Sequence, residues 1–250
     1  RGLGDVYKRQ VEDKGQWAMI FNETVKSDSN PVDRTEKFMF DGERLIQHII
    51  KQRYFEEEIS NEVNLSYSDN QVTVTTDYLT LVYTLNSEGY ASQCVYSLSS
   101  QNRIYQFSYS AEGYLTGIVE NIDDTEYSST SLTYENGDIT SISSKMNGLE
   151  NKFIYEPGEE SSTYHLPCLG LLEIHPLTFH IEALYAGLLG KDPRHFTMHS
   201  CPAGSNDEKT VYSYGFDKKG NPSRMICQTT YAGGQASYYP YTRNISISFE

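Results

Sequence analysis

Phe107-Ser-Tyr-Ser-Ala-Glu-Gly113-Tyr-Leu-Thr-Gly-Ile118 holds a complete hairpin in one short stretch. Phe107 and Tyr109 alternate with Ser108 and Ser110, the period of a strand with one apolar and one polar face. Glu112-Gly113 then supplies a turn, because glycine takes a positive φ without a Cβ penalty. The same grammar recurs outward in both directions: Tyr83 and Leu85 precede Gly89, Leu132 and Tyr134 precede Gly137, and Tyr214 and Phe216 precede Gly220. Gly89, Gly113 and Gly137 stand 24 residues apart, a period that signals a repeated supersecondary unit, here one hairpin per repeat. Earlier in the chain Phe38 to Phe40 leads to Asp41-Gly42, and Leu65-Ser-Tyr67 leads to Asp69-Asn70, where Asn stands in for Gly. Five hairpins therefore run from Phe38 to Met146 with short connections, which predicts an antiparallel meander. Leu115 and Ile118 fall on opposite parities after Gly113, and Ile139 and Ile142 repeat that offset after Gly137. Either a bulge intervenes, or the Leu position packs at the turn while the Ile position joins the core.

The composition agrees. Among 250 residues are 21 Tyr and 10 Phe, which offset a modest apolar fraction of 38% and favour pleated surfaces. A net charge of −14 without clusters of Lys and Arg argues against nucleic acid and against anionic lipid. The four cysteines, Cys94, Cys168, Cys201 and Cys227, lack the close spacing of a zinc ribbon or a redox pair. Cys94 occupies the repeat position of Ile118 and Ile142 and reads as a small buried hydrophobe.

Residues 1–10, Arg-Gly-Leu-Gly-Asp-Val-Tyr-Lys-Arg-Gln, resemble translated sequencing adapter and are set aside as non-native, leaving 11–250 as one β-repeat domain. From Glu156 the hairpin pattern breaks, and an insert is expected at about 159–207. It holds one amphipathic helix, Pro176 to Leu189, with Leu177, Ile181, Leu184 and Leu188 on one face, Pro176 in the first turn and Gly190 just past the end. The expected fold is all-β: a curved antiparallel meander, an open barrel-like sheet, with this helix packed in its concave face.

Two units, Tyr109-Ser-Ala-Glu-Gly113-Tyr-Leu-Thr-Gly-Ile118 and Phe216-Asp-Lys-Lys-Gly220-Asn-Pro-Ser-Arg-Met225, resemble the degenerate repeats of a Bacteroides cell-envelope family, a domain of unknown function with porin-like fold. The resemblance spans roughly Phe38 to Phe249, including a Leu-rich helical insert before the last hairpins. It implies a curled antiparallel sheet and a lipoprotein carried to the envelope, anchored at the outer membrane or held in the periplasm. The lipid anchor would lie upstream of the sequence in hand. The family brings no catalytic residues.

Chemistry is sparse. Five histidines fall in the insert, and His165 with Cys168, and His195 with His199 and Cys201, have spacings that a zinc ion uses, although no two-pair zinc motif is present. These five residues are the candidate metal ligands; no cofactor is expected. The runs Glu56-Glu57-Glu58, Asp123-Asp124 and Glu159-Glu160 read as solvated edges rather than a catalytic pair. No nucleophile elbow, phosphate-binding loop or zincin motif occurs, so the chain reads as a non-enzyme. Tyr231, Tyr238, Tyr239 and Tyr241 cluster near the end and are the candidate ligand-binding residues, since aromatic rings stack on sugars and apolar ligands. Cross-strand pairing on a solvated face also favours tyrosine there. The functional expectation is a non-catalytic binding or structural module of the envelope, for glycan or a small amphipathic ligand. The alternatives are a carrier of a lipid-like apolar ligand between helix and sheet, and a hydrolase built on insert histidines and carboxylates. Alternate positions filled by Asp, Asn, Ser and Thr argue against a membrane pore.

Overall fold

Each alternating segment pairs with its neighbours in sequence, and the computed structural model of the chain closes the resulting meander into a barrel of sixteen antiparallel strands. The structure describes residues 15–25, 32–54, 57–98, 101–161, 176–205, 208–230 and 241–250. The strands are β1 (Gln16–Val25), β2 (Val32–Asp41), β3 (Arg44–Tyr54), β4 (Glu57–Tyr67), β5 (Gln71–Thr75), β6 (Thr80–Leu85), β7 (Ala91–Leu98) and β8 (Gln101–Tyr109). They continue as β9 (Leu115–Ile122), β10 (Thr125–Glu135), β11 (Asp138–Met146), β12 (Leu149–Ser161), β13 (His195–Pro202), β14 (Lys209–Phe216), β15 (Pro222–Thr230) and β16 (Tyr241–Phe249). The expected open sheet is corrected by its ends. β1 pairs with β16 from Met19↔Phe249 to Val25↔Arg243, so each described strand has a partner on both sides. Alternation tells which strands are sequence neighbours, but nothing in it says that the first meets the last.

All five hairpins between Phe38 and Met146 form, with their turns on one rim of the barrel together with that of Gly220. Gly113 and Gly137 sit at φ +91° and +88°, where an L side chain is strained. The start of β1 meets the end of β16 at the same rim, where Ala18 N–H donates to Glu250 O at 2.9 Å. At the opposite rim Asp123 and Asp124, one of the acidic runs, make the β9–β10 turn at φ 47° and 63°.

Both apolar positions after each glycine are buried. A register shift between Ser108 and Tyr109 puts Leu115 and Ile118 inside at 2% and 1% exposure, and one between Thr133 and Tyr134 does the same for Ile139 and Ile142. One tyrosine in each of three hairpins has a role that the alternation does not show. Near the glycine rim the ladder of β3 and β4 ends at Gln47↔Asn64, that of β7 and β8 at Gln93↔Gln106, and that of β13 and β14 at His199↔Val211. The strands splay beyond these points, and a tyrosine hydroxyl spans each gap. Tyr67 donates to Leu45 O (2.7 Å), Tyr109 to Ala91 O (2.6 Å) and Tyr214 to Thr197 O (2.9 Å).

Side chains pointing inward form the core, among them Phe38, Phe40, Val72, Tyr83, Tyr105 and Ile118. Cys94 is fully buried among them, and burial pushes its thiol up to about 12. Outward positions are polar: Glu58, Ser60, Glu62, Asn64 and Ser66 along β4 are all exposed.

The insert differs from expectation in three ways. β12 runs through Glu156-Pro-Gly158 to Ser161, and His195–Pro202 is a barrel strand rather than irregular insert. The helix is shorter than Pro176 to Leu189: a 3-10 turn, Leu177–His180, passes into α1 (Ile181–Tyr185), and Gly187 at φ +70° lies just beyond its end. Its α-helical part also has no exposed residue. Leu177, His180, Glu182, Ala183, Leu184 and Tyr185 are all buried, because the helix fills a closed lumen rather than lying on an open concavity.

Candidate functional site

The lumen gathers charged groups away from water. From α1, Glu182 accepts a hydrogen bond from His48 Nδ1 at 2.8 Å, and His48 Nε2 donates to Glu36 at 3.0 Å on the neighbouring strand. Glu36 in turn pairs with Arg34 at 2.6 Å. The chain Arg34, Glu36, His48, Glu182 alternates in sign, as buried charges require. Burial opposes protonation of His48, but the hydrogen bonds and charges of Glu182 and Glu36 outweigh it and raise its pKa. Burial likewise opposes ionisation of Glu36, yet His48 and Arg34 hold its carboxyl below the usual range.

Aromatic rings complete the attachment. His48 stacks on Phe38 (4.0 Å) and Phe38 on Tyr185 (3.9 Å), a column from wall to helix. On the other side Tyr83, whose hydroxyl burial keeps protonated, donates to His180 Nδ1 at 2.6 Å, and Tyr105 meets the same imidazole edge-on. Glu120, fully buried further along the wall, accepts from Arg103, Tyr105 and Ser128.

Past the helix, residues 188–195 strap across the glycine rim. Ala91 N–H donates to Leu188 O, Lys191 N–H to Gly113 O, Arg194 N–H to Gly137 O, and His195 N–H to the Asp138 carboxylate. Turns set 24 residues apart in sequence are thereby tied to one segment.

Between α1 and the wall formed by β1, β2 and β14 to β16 remains a cavity of about 140 Å³. Phe21, Ile181, Tyr185, Met225 and Ile245 make its apolar sides. Its polar end carries two ion pairs, Arg34 with Glu36 and Arg243 with Glu23, the latter gripped by both Nε and Nη2. A space of this size takes a group about as large as benzene.

The expected metal ligands are spread apart where they are described. His195 Nδ1 binds Asp138 (2.8 Å) at the glycine rim, whereas His199 Nδ1 binds Glu156 (2.9 Å) on the outer face. A register shift between Glu156 and Pro157 separates the two, so their spacing in sequence does not bring them together. Cys201, a free thiol, follows His199 on the outer face. His165 and Cys168 lie outside the described residues. Among the described residues no group of three or more His, Cys, Asp and Glu side chains is placed to hold a metal ion. Tyr231, Tyr238 and Tyr239 also lie outside the described residues; Tyr241 is the first residue of β16. The sequence reading missed Glu23, Glu36, His48 and Glu182. A signal was present: Glu23 keeps phase with Met19 and Phe21, and Glu36 with Phe38 and Phe40, so each puts a charge on an apolar face.

A closed antiparallel barrel with a helix packed in its lumen is a porin-like fold. The chain belongs to the domain of unknown function with porin-like fold (DUF4595), whose match covers residues 38–224. It is similar to a porin-like protein from Bacteroides uniformis of known crystal structure, with a TM-score of 0.84 and 27% identity over 93% of this chain and 96% of that one. A porin-like protein from Bacteroides vulgatus shares the fold at a TM-score of 0.57 and 12% identity, over 91% of this chain and 96% of that one. No curated protein matches the sequence.

Proposed function

We propose that the chain is a non-catalytic binding module of the bacterial cell envelope whose ligand is a small amphipathic molecule held in the lumen. The observation that carries this reading is the cavity between α1 and the wall, apolar along its sides and charged at one end. An aromatic or branched apolar group enters between Tyr185 and Met225, and a polar group meets the Arg243–Glu23 and Arg34–Glu36 pairs. At about 140 Å³ the space is smaller than the roughly 300–1,000 Å³ of drug-sized sites, which favours a small ligand over a lipid-like one. His48 and Arg34 hold the Glu36 carboxyl below its usual range, so this residue is not poised as a general acid, which needs a raised pKa. The Bacteroides relatives and the family's porin-like description support the address.

Native mass spectrometry of gently purified protein, followed by ligand-observed NMR with small aromatic acids and alcohols, tests the reading. Met225→Trp fills the cavity and should abolish any saturable binding. Bare polypeptide with no saturable fragment, or binding that survives Met225→Trp, would leave the plugged barrel as a scaffold.

A further inference from the structure

A second site lies on the glycine rim, independent of the lumenal cavity. The β9–β10 ladder ends at Gly117↔Ser131; beyond it β9 pairs only with β8, and β10 only with β11. The strap crosses this split as a lintel, with Lys191 N–H bound to Gly113 O on one bank and Arg194 N–H to Gly137 O on the other. Under it opens a groove of about 720 Å³, within the range of small-ligand clefts. Its lining includes Tyr114 and Tyr134, stacked at 5.0 Å, with Leu132 behind them. Exposed Lys191 and Arg194 edge it, as does Glu112. Two cations thus border a groove that holds a stacked tyrosine pair.

We propose that this window binds a short acidic oligosaccharide, one that carries a uronic carboxylate. A sugar ring presents a C–H face that packs on tyrosine and hydroxyls that need acceptors. Glu112 supplies such an acceptor: a hydrogen bond from Ser110 is the main reason its carboxyl lies below the usual range, so it stays ionised. Lys191 and Arg194 supply the cations for the sugar's carboxylate, and charge-assisted hydrogen bonds are the stronger kind. Glycine at 137 is part of the construction, since a Cβ there would lie 2.6 Å from both Arg194 Cδ and Tyr114 Oη.

Titration calorimetry with trigalacturonic acid, and with maltotriose as its neutral counterpart, tests the assignment. Trigalacturonic acid should bind saturably, with maltotriose weaker by about tenfold or more, the loss of one charge-assisted contact. The substitutions Lys191→Gln and Arg194→Gln, singly and together, should weaken the acidic sugar by a similar factor. They leave the strap's backbone hydrogen bonds in place, so the melting temperature should hold. The proposal is overturned by absence of trigalacturonic acid binding, by equal binding of maltotriose, or by full binding in a folded Lys191→Gln/Arg194→Gln double variant.

Discussion

His48 is the residue on which the helix's attachment turns. It is fully buried, and both ring nitrogens face carboxylates, so it serves as a double donor only when protonated. Its folded pKa lies above the ordinary 6.5, so its stabilisation is complete below that value and is lost as the pH rises through the raised one. Glu36 has the opposite sign: its contribution is present above 4.5 and lost as the pH falls through its depressed value. Urea midpoints against pH should therefore fall off on both sides, and His48→Gln should flatten the alkaline limb and also shrink the acid limb, because His48 is the first of the groups that lower Glu36. Glu182→Ala strands the buried imidazolium and should lower stability by about 3 kcal/mol at neutral pH. Tyr109→Phe removes a hydroxyl that reaches Ala91 O and Leu188 O, and equilibrium unfolding should show a loss of about 1 kcal/mol. At this scale the sequence was only half legible. Cys94 announced its burial through its place in the repeat, but the partner of a charged residue in apolar phase is set by closure of the barrel, as Glu182 reaching His48 across 134 positions shows.

Among elements, the hairpins were the most legible, because Phe107 to Ile118 carries its own alternation and its own turn. The helix was less so: Leu177, Ile181, Leu184 and Leu188 have helical spacing, yet only Ile181–Tyr185 is α-helical. The strap's demand for Gly187 and Gly190, at φ +70° and +89°, overrode the periodicity. Three glycines separate conformational strain from crowding. Gly89 at φ +85° has open space around it, so Gly89→Ala should lose only about 1 kcal/mol, the left-handed penalty. At Gly137 the neighbours are side chains able to shift. A Cβ at Gly190 would lie 2.7 Å from Gly113 O and 3.1 Å from Leu115 N, backbone that cannot yield without moving the strap. Gly190→Ala should therefore be the worst of the three, by about 3 kcal/mol or more, in a comparison of urea midpoints.

For the whole molecule, the polarity of the wall matters most. Outward positions such as Ser131 and Thr133 on β10, Ser246 and Ser248 on β16 and the run along β4 are exposed and polar, interrupted by apolar positions such as Ile20, Ile49, Val82, Val95 and Ile104. Membrane-spanning barrels carry the reverse pattern, an apolar band about 25 Å tall facing lipid. Residues 11–250 should thus stay with the aqueous fraction in liposome flotation and give no conductance in a planar bilayer. The all-β class was readable from alternation; closure was not, because the seam joins residues as distant as Glu23 and Arg243, 220 positions apart. That seam also bears on how the chain reaches its native state. Among the described residues twelve strands precede the helix in sequence and four follow it. An emerging polypeptide can therefore lay α1 on a sheet that is still open, then wrap β13 to β16 over it and zip β16 to β1. Contacts this remote in sequence make for slow folding. The final kinetic step would be seam formation, with the plug enclosed by wrapping rather than threaded through a finished ring.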